Sequence, residues 1–221
     1  MHYATLQRQG HRCVEIANPL RRLTTDAAYV AETVRGLDGP LVFVGHSYGG
    51  AVITNAAVGD ERAKALVYLN GWMPDEGESV AQLAELNPGS LLPDAIRPTR
   101  FTEPDGSEGV DLYIDQDAFP AAFAGDVDLD TARVMAAAQR PPSGAALGTP
   151  SGPPAWRSLP SWYLLGTEDK AIPPATQRFM AERAGARITE IAASHASMVS
   201  QPEAATALIV EAVEATCGVP A

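Results

Sequence analysis

A serine framed by glycines follows a short apolar run in the first quarter of the chain. Residues 41–44 are apolar and mostly β-branched or aromatic, residues 45–49 fit the pattern G-x-S-x-G, and a helix-forming run begins directly after them. Nucleophilic serines occupy this strand–turn–helix context, where small residues permit a strained backbone and close packing. The pattern therefore predicts that Ser47 is a nucleophile. The simpler alternative is a tight turn whose serine only caps the helix.

A serine hydroxyl becomes a good nucleophile when a base removes its proton and an anion orients that base. Asp169 follows a predicted strand at residues 161–165, and His195 follows a predicted strand at residues 187–191. The carboxyl ends of parallel strands meet at one edge of a sheet. We therefore expect Ser47, Asp169 and His195 to converge there as nucleophile, orienting acid and general base.

Other side chains near these positions compete for the same roles. Glu168 adjoins Asp169 and carries the same charge. We favour Asp169 because its shorter side chain suits a fixed contact with histidine. Asp75, after another predicted strand, is a further alternative for the acid. His46 lies inside the serine turn, and we expect it to pack beside the strand end in a supporting role.

The elements that must position these side chains alternate between strand and helix. Short turns between such elements indicate parallel strands with right-handed crossovers. We therefore predict an α/β fold with a mostly parallel sheet of about five strands, helices on both faces, and a single domain over residues 1–221. The predicted strands are residues 12–17, 41–44, 65–70, 161–165 and 187–191. One predicted helix is capped by Thr25 or Asp26 and ends near Arg35, and another follows the serine turn. The remaining predicted helices are residues 3–9, 173–184 and 203–215.

The alternation is interrupted at residues 72–158, which contain many prolines and a Gly/Ser/Pro-rich patch at residues 141–154. Two helices are predicted here, at residues 78–87 and 128–139. An irregular insertion on the carboxyl side of a sheet is where a cap or lid would lie, and a structural excursion with its own small core is the alternative. An apolar cap favours a small hydrophobic or aromatic substrate. The candidate lining residues are Trp72, Phe119, Phe123 and Trp156.

Composition limits the partners. The formal net charge of −11 argues against binding to nucleic acid or to an anionic membrane surface. No apolar run approaches membrane-spanning length, and the N-terminus lacks the apolar core of a signal peptide. Two cysteines at opposite ends of the chain favour free thiols and a cytoplasmic location. No cluster of Cys, His and carboxylates has metal-ligand spacing, so no metal or cofactor is expected. The sequence is compatible with a homodimer.

Three motifs carry a resemblance to a known superfamily: GHSYGG at residues 45–50, GTED at residues 166–169 and SHA at residues 194–196. They resemble the α/β-hydrolase superfamily, and within it small bacterial esterase-like proteins similar to plant methylesterases and hydroxynitrile lyases. The resemblance covers nearly the whole chain. It implies that Ser47, Asp169 and His195 are nucleophile, orienting acid and general base, and that the backbone N–H of Tyr48 is one oxyanion donor.

The sequence departs from that family at its start. Family members begin with a strand and a His-Gly loop that supplies a second oxyanion donor. That strand would lie between the predicted strands at residues 12–17 and 41–44, and this chain opens inside the helix that follows it. A chain starting at an internal methionine, a gap filled by sheet rearrangement or a partner chain, and a degenerate hydrolase are three competing explanations. Losing one oxyanion donor costs about 2.7–4 kcal/mol of transition-state stabilisation, so we expect weakened activity.

Three functions are compatible with these patterns. The first is a serine hydrolase that cleaves small carboxylic esters through an acyl-enzyme on Ser47. The second is a hydroxynitrile lyase on the same fold, although the related plant lyases carry a lysine where this chain has Ala196. The third is a non-catalytic binding protein that retains the pocket.

Overall fold

Short apolar runs form the strands of the main sheet. The structure is a computed structural model that describes residues 3–218. Four strands lie in the spatial order β1-β2-β5-β6, and every neighbouring pair is parallel. The predicted α/β fold with a mostly parallel sheet is thereby confirmed. In chain order the strands are β1 (Leu41–His46), β2 (Ala63–Leu69), β3 (Ile96–Thr102), β4 (Glu108–Ile114), β5 (Ser161–Gly166) and β6 (Arg187–Ile191).

Helices cover both faces of this sheet. In β2, Leu66 and Tyr68 pack into one apolar layer with the second, third and ninth helices, whereas Ala65 and Val67 pack into another with the last helix. Successive side chains of a strand point to opposite faces, so one apolar strand supplies both layers. The helices are α1 (Tyr3–Arg8), α2 (Leu23–Arg35), α3 (Tyr48–Ala56), α4 (Val80–Ala84), α5 (Leu92–Ala95), α6 (Phe119–Phe123), α7 (Leu129–Ala138), α8 (Gly144–Gly148), α9 (Pro174–Arg183), α10 (Ser197–Ser200) and α11 (Pro202–Cys217), with a 3₁₀ turn at Ala155–Arg157.

The predicted strand at residues 12–17 is wrong. These residues have no regular secondary structure, and their backbone groups form no backbone–backbone hydrogen bonds within residues 3–218. A groove of about 710 Å³ is lined by this segment, by β1 and by flanking helices. A strand exists only through its ladder to a neighbour, and among the described residues β1 pairs with β2 alone. The segment therefore keeps a strand-like sequence without the partner that would make it a strand.

Residues 72–158 form a mixed insertion between β2 and β5. The predicted helices at residues 78–87 and 128–139 correspond to α4 and α7. The antiparallel pair β3–β4 was not predicted, because β3 is largely exposed and contains Pro98, so it lacks the apolar alternation of a half-buried strand. That this insertion caps the site stays a prediction.

The start of α2 also differs from expectation. The helix begins at Leu23, with Arg22 at the N-cap, so neither Thr25 nor Asp26 caps it. Asp26 is instead fully buried and accepts hydrogen bonds from the backbone N–H of Arg21 at 2.9 and 3.2 Å. The carboxylate thus ties the preceding loop to the first turn. None of the helices within residues 3–218 has the length and apolarity needed to cross a membrane.

Candidate active site

The turn between β1 and α3 holds Ser47 in a strained conformation. Its φ of 51° and ψ of −125° are rarely adopted by residues other than glycine. A Cβ atom on Gly45 would lie 2.4 Å from the carbonyl oxygen of Gly49, and one on Gly50 would lie 2.5 Å from that of Trp72. Glycine is therefore required at both positions for β1, α3 and the segment after β2 to meet. The turn has the nucleophile-elbow geometry that the sequence predicts.

Tyr48, the first residue of α3, is held in place by a hydrogen bond of its side chain. Its hydroxyl donates a hydrogen bond of 2.8 Å to Asp26, and burial together with this bond raises the pKa of the phenol. Its backbone N–H donates to no acceptor within residues 3–218. This N–H lies at a helix N-terminus, where a developing negative charge is favoured. The predicted role of Tyr48 as an oxyanion donor is compatible with this free group.

Asp169 and His195 form a buried pair. The distance between Asp169 Oδ2 and His195 Nδ1 is 2.8 Å, and each residue is 1% exposed. The other carboxylate oxygen accepts from the backbone N–H groups of Ala171 at 2.7 Å and Ile172 at 2.8 Å. Burial alone would raise the pKa of Asp169, but the neighbouring imidazole and the hydrogen bonds outweigh it, so the pKa lies below its usual value. An anionic Asp169 places the proton on Nδ1 and leaves Nε2 of His195 free to act as a base.

The competing acids lie elsewhere. Glu168 is exposed on the loop, with its backbone N–H bonded to the carbonyl of Ala193. Asp75 forms an ion pair with Arg157 at 2.5 Å. Of the three candidate carboxylates, only Asp169 contacts His195 within the described residues.

The hydroxyl of Ser47 forms no hydrogen bond with His195 in the part of the chain that the structure describes. The two residues are connected through His46, whose ring centre lies 4.7 Å from that of His195. His46 Nε2 donates to the backbone carbonyl of His195 at 2.9 Å. Burial and the neighbouring His195 lower the pKa of His46 to about 3, so its ring stays neutral. The residue before the serine thus holds the loop of the base, and the role of Ser47 stays a prediction.

Two polar residues beside Asp169 were not identified from the sequence. Asn70, directly after β2, donates from Nδ2 to Asp169 Oδ2 at 3.0 Å. Gln177 in α9 donates from Nε2 to the same oxygen at 2.8 Å. Both are fully buried. The position of Asn70 at the carboxyl end of a strand, on the edge that carries Ser47 and Asp169, was an available signal; Gln177 offered none.

The four predicted lining aromatics differ in their distance from the pair. The ring of Phe123 meets that of His195 edge to face at 4.6 Å, and Phe119 stacks on Phe123 at 4.9 Å. Trp72 is buried in the core, and its backbone N–H donates to the carbonyl of Ser47 at 3.0 Å. The indole N–H of Trp156 donates to the carbonyl of Pro74 at 3.0 Å. The described contacts therefore bring Phe123 directly onto the imidazole, whereas Trp156 has no contact with it.

Comparison with known proteins gives a family match and several structural neighbours. A family model described as the alpha/beta hydrolase family matches residues 4–208. Polyneuridine aldehyde esterase superposes with a TM-score of 0.77 at 20% identity, covering 94% of this chain and 91% of that chain. A pyrethroid hydrolase from Sphingobium faniae JZ-2 gives 0.71 at 21% identity, with coverages of 95% and 89%.

A third solved structure is an extracellular alpha/beta-hydrolase from a Paenibacillus species, described as sharing structural and functional homology with tobacco salicylic acid binding protein 2. It gives a TM-score of 0.64 at 22% identity, covering 92% of this chain and 84% of that chain. No curated protein matches the sequence. At such identities the structural matches establish the fold alone. The family model, however, spans most of the sequence, including the serine turn, Asp169 and His195. The chain therefore belongs to the alpha/beta hydrolase family.

Proposed function

We propose that this protein is a serine hydrolase that cleaves small carboxylic esters through an acyl-enzyme on Ser47. The observation that carries the proposal is the buried Asp169–His195 pair on the same sheet edge as the strained Ser47 turn. A buried imidazole with its Nδ1 on a carboxylate has its second nitrogen free for proton transfer. The family membership supports a hydrolase activity. The choice of a carboxylic ester as the substrate is supported by the serine, acid and histidine residues and by the esterase and hydrolases among the structural neighbours.

In each half of the proposed reaction, His195 accepts a proton from the attacking group and then donates it to the leaving group. Its Nε2 removes the proton of the Ser47 hydroxyl as the oxygen attacks the ester carbonyl carbon. The imidazolium then protonates the departing alkoxide, which leaves as an alcohol. A water molecule, deprotonated by His195, attacks the acyl-enzyme, and the returned proton restores the Ser47 hydroxyl as the acid leaves. Asp169 stays anionic and stabilises the imidazolium in both halves.

The negative charge on the carbonyl oxygen needs hydrogen-bond donors. We assign this role to the backbone N–H of Tyr48, which has no acceptor among the described residues. We therefore expect this charge to be stabilised at the N-terminus of α3.

Apolar side chains near the base favour an apolar acyl or alcohol group. Phe123 contacts the imidazole and is backed by Phe119, which is buried. Trp72 adjoins the serine turn through its backbone. Of these side chains Phe123 is the half-buried one, and an aromatic ring there would bind hydrophobic groups, whereas it has no group to pair with an anionic substrate. We propose a small hydrophobic or aromatic ester as the substrate class.

A non-catalytic binding protein is the second candidate. It is favoured by the absence of a hydrogen bond between Ser47 and His195 within residues 3–218. A lyase is disfavoured, because the resemblance places a lysine at the position of Ala196, which is fully buried in this chain. The binding and catalytic proposals differ in whether the serine hydroxyl is chemically reactive.

Labelling by a fluorophosphonate probe tests the proposal. We expect the wild-type protein to be labelled, S47A to be unlabelled and H195A to be labelled far more slowly. Hydrolysis of p-nitrophenyl acetate should follow the same order, and mandelonitrile should release no cyanide above the background. Equal labelling of wild type and S47A would reject Ser47 as the nucleophile, and an unlabelled but folded wild type would favour the binding protein.

A further inference from the structure

The side chain of Asn70 forms hydrogen bonds with Asp169 and with residues on both sides of His195 in the chain. It follows β2 directly, is fully buried and has a left-handed backbone with φ of 45°. Its Nδ2 donates to Asp169 Oδ2 at 3.0 Å and to the backbone carbonyl of Ser194 at 3.4 Å. Its Oδ1 accepts a hydrogen bond from the hydroxyl of Ser197. One side chain therefore contacts the residue before His195, the second residue after it, and its acid.

We propose that Asn70 is a positioning residue that sets the orientation and the charge of the Asp169–His195 pair. The inference rests on the proposed function, because it assigns this amide a part in that reaction. Asn70 touches no reacting atom. It acts by holding the carboxylate and the loop around His195 in one arrangement, as supporting hydrogen bonds do for other preorganised sites.

An amide suits this position because its two ends meet opposite requirements. The nitrogen faces two acceptors, Asp169 and the carbonyl of Ser194, and the oxygen faces a donor, the hydroxyl of Ser197. A carboxylate there would set oxygen against oxygen and place two negative charges at one buried site. An apolar side chain would leave three buried polar groups without this partner.

The surroundings hold the amide in place. A Cβ atom on Gly166, at the end of β5, would lie 2.4 Å from Asn70 Nδ2. The nitrogen is therefore packed directly against the β5 backbone. Asparagine also tolerates a left-handed backbone better than most residues. The conformation after β2 and the hydrogen bonds of the site thus select the same residue.

The substitution N70D tests the assignment, because it keeps the size of the side chain and exchanges a donor for an ionisable oxygen. Two carboxyl groups in contact share one proton over a range of pH. While it is protonated, the new carboxyl group can donate to Asp169 in place of the amide. When it ionises, the donor is lost. N70D should therefore add a falling limb to the pH profile of kcat/KM that the wild type lacks.

Asn55 provides a matched control. Asn55 is half-buried, and its amide is fully hydrogen-bonded, as that of Asn70 is. Its Nδ2 donates to the carbonyl of Ala51 at 2.9 Å and to Ser151 Oγ at 3.0 Å, and its Oδ1 accepts from the N–H of Gly152 at 2.9 Å. It has no described contact with Asp169 or His195. N55D makes the same chemical change away from the site, so its profile should keep the wild-type shape even where its stability falls.

The titration of His195, followed by NMR of the full chain and assigned with H195Q, gives a reading that needs no turnover. N70D should show a second titration step that wild type and N55D lack. A single step in folded N70D, identical to that of the wild type, would overturn the inference. If the wild type shows no ester turnover but N70D shows the second titration step, the proposed function is contradicted, whereas the contact of Asn70 with the pair is still supported.

If N70D does not fold, Ser197 supplies a milder variant. S197A removes the donor to Asn70 Oδ1, and we expect kcat to fall at least about fivefold with KM little changed. S200A is its control, because Ser200 lies on the same short helix α10 and its buried hydroxyl has no partner within residues 3–218. Equal kcat values for folded S197A and S200A would contradict the assignment.

Discussion

His46 Nε2 donates a hydrogen bond of 2.9 Å to the backbone carbonyl oxygen of His195. The contact joins residues 149 positions apart in the chain, one directly before the predicted nucleophile and one the predicted base. Burial and the neighbouring His195 lower the pKa of His46 to about 3, so the donor stays neutral over the working range of a hydrolase. The serine turn and the loop of the base are therefore held together by a contact that does not depend on pH near neutrality.

Removing this donor should lower turnover. In H46A the His195 loop loses a buried hydrogen bond, and we expect kcat to fall about tenfold or more with KM little changed. H46Q is the matched control, because its amide N–H can reach the same carbonyl, and it should retain more activity than H46A. Steady-state kinetics of the two folded variants make the comparison. Identical losses in both would show that the ring itself, rather than its N–H, matters.

The low pKa of His46 predicts acid destabilisation. An unfolded histidine titrates near about 6.5, and the folded value is about 3. Because folding depresses this pKa, the stability that the neutral ring contributes is present above the unfolded value and is lost as pH falls from about 6.5 towards 3. Urea unfolding of wild type and H46Q between pH 7 and pH 4 measures it. The wild type should lose stability more steeply, and parallel slopes would contradict the assignment.

The charge on Asp169 should be essential to the base. In D169N the Nδ1 proton of His195 has no anion to hold it, and the favoured tautomer changes. Related triads lose about 10⁴-fold in kcat from this change, and we expect a loss of about 10³–10⁴-fold here. E168Q removes the adjacent, exposed carboxylate and should leave kcat close to that of the wild type. A comparable loss in E168Q would return Glu168 to the role of the acid.

The glycines of the serine turn should differ sharply in their tolerance of alanine. G45A places a Cβ atom 2.4 Å from the carbonyl oxygen of Gly49, and we expect the free energy of unfolding to fall by at least about 2 kcal/mol. A Cβ atom on Gly49 meets nothing within 4 Å, and this helical residue has no positive φ. G49A should therefore fold as stably as the wild type or slightly more so. Chemical denaturation of both variants checks the contrast, and equal destabilisation would refute it.

The sequence by itself determined the local units and their order. The apolar run at β1, the small residues after it and the helix-forming run beyond them specify the serine turn. The steric limit at Gly45 is local, because it is set by Gly49 and Gly50 a few residues along the chain. The order of Ser47, Asp169 and His195, each after a parallel strand, sufficed to predict that the acid and the base would pair. These are consequences of strand direction, which short crossovers fix.

The tertiary structure decided what depends on partners distant in the chain. Residues 12–17 have a strand-like composition but form no ladder within residues 3–218, since a strand requires hydrogen-bonding groups that another segment must supply. β3 is largely exposed and contains Pro98, so the sequence of this strand shows no apolar alternation. In the sequence Asn70 is a polar residue at the end of a predicted strand. Its hydrogen bonds to Asp169, Ser194 and Ser197 form only in the folded protein. Such polar contacts form between side chains that only the assembled fold brings within hydrogen-bonding distance, so no local pattern of residues encodes them.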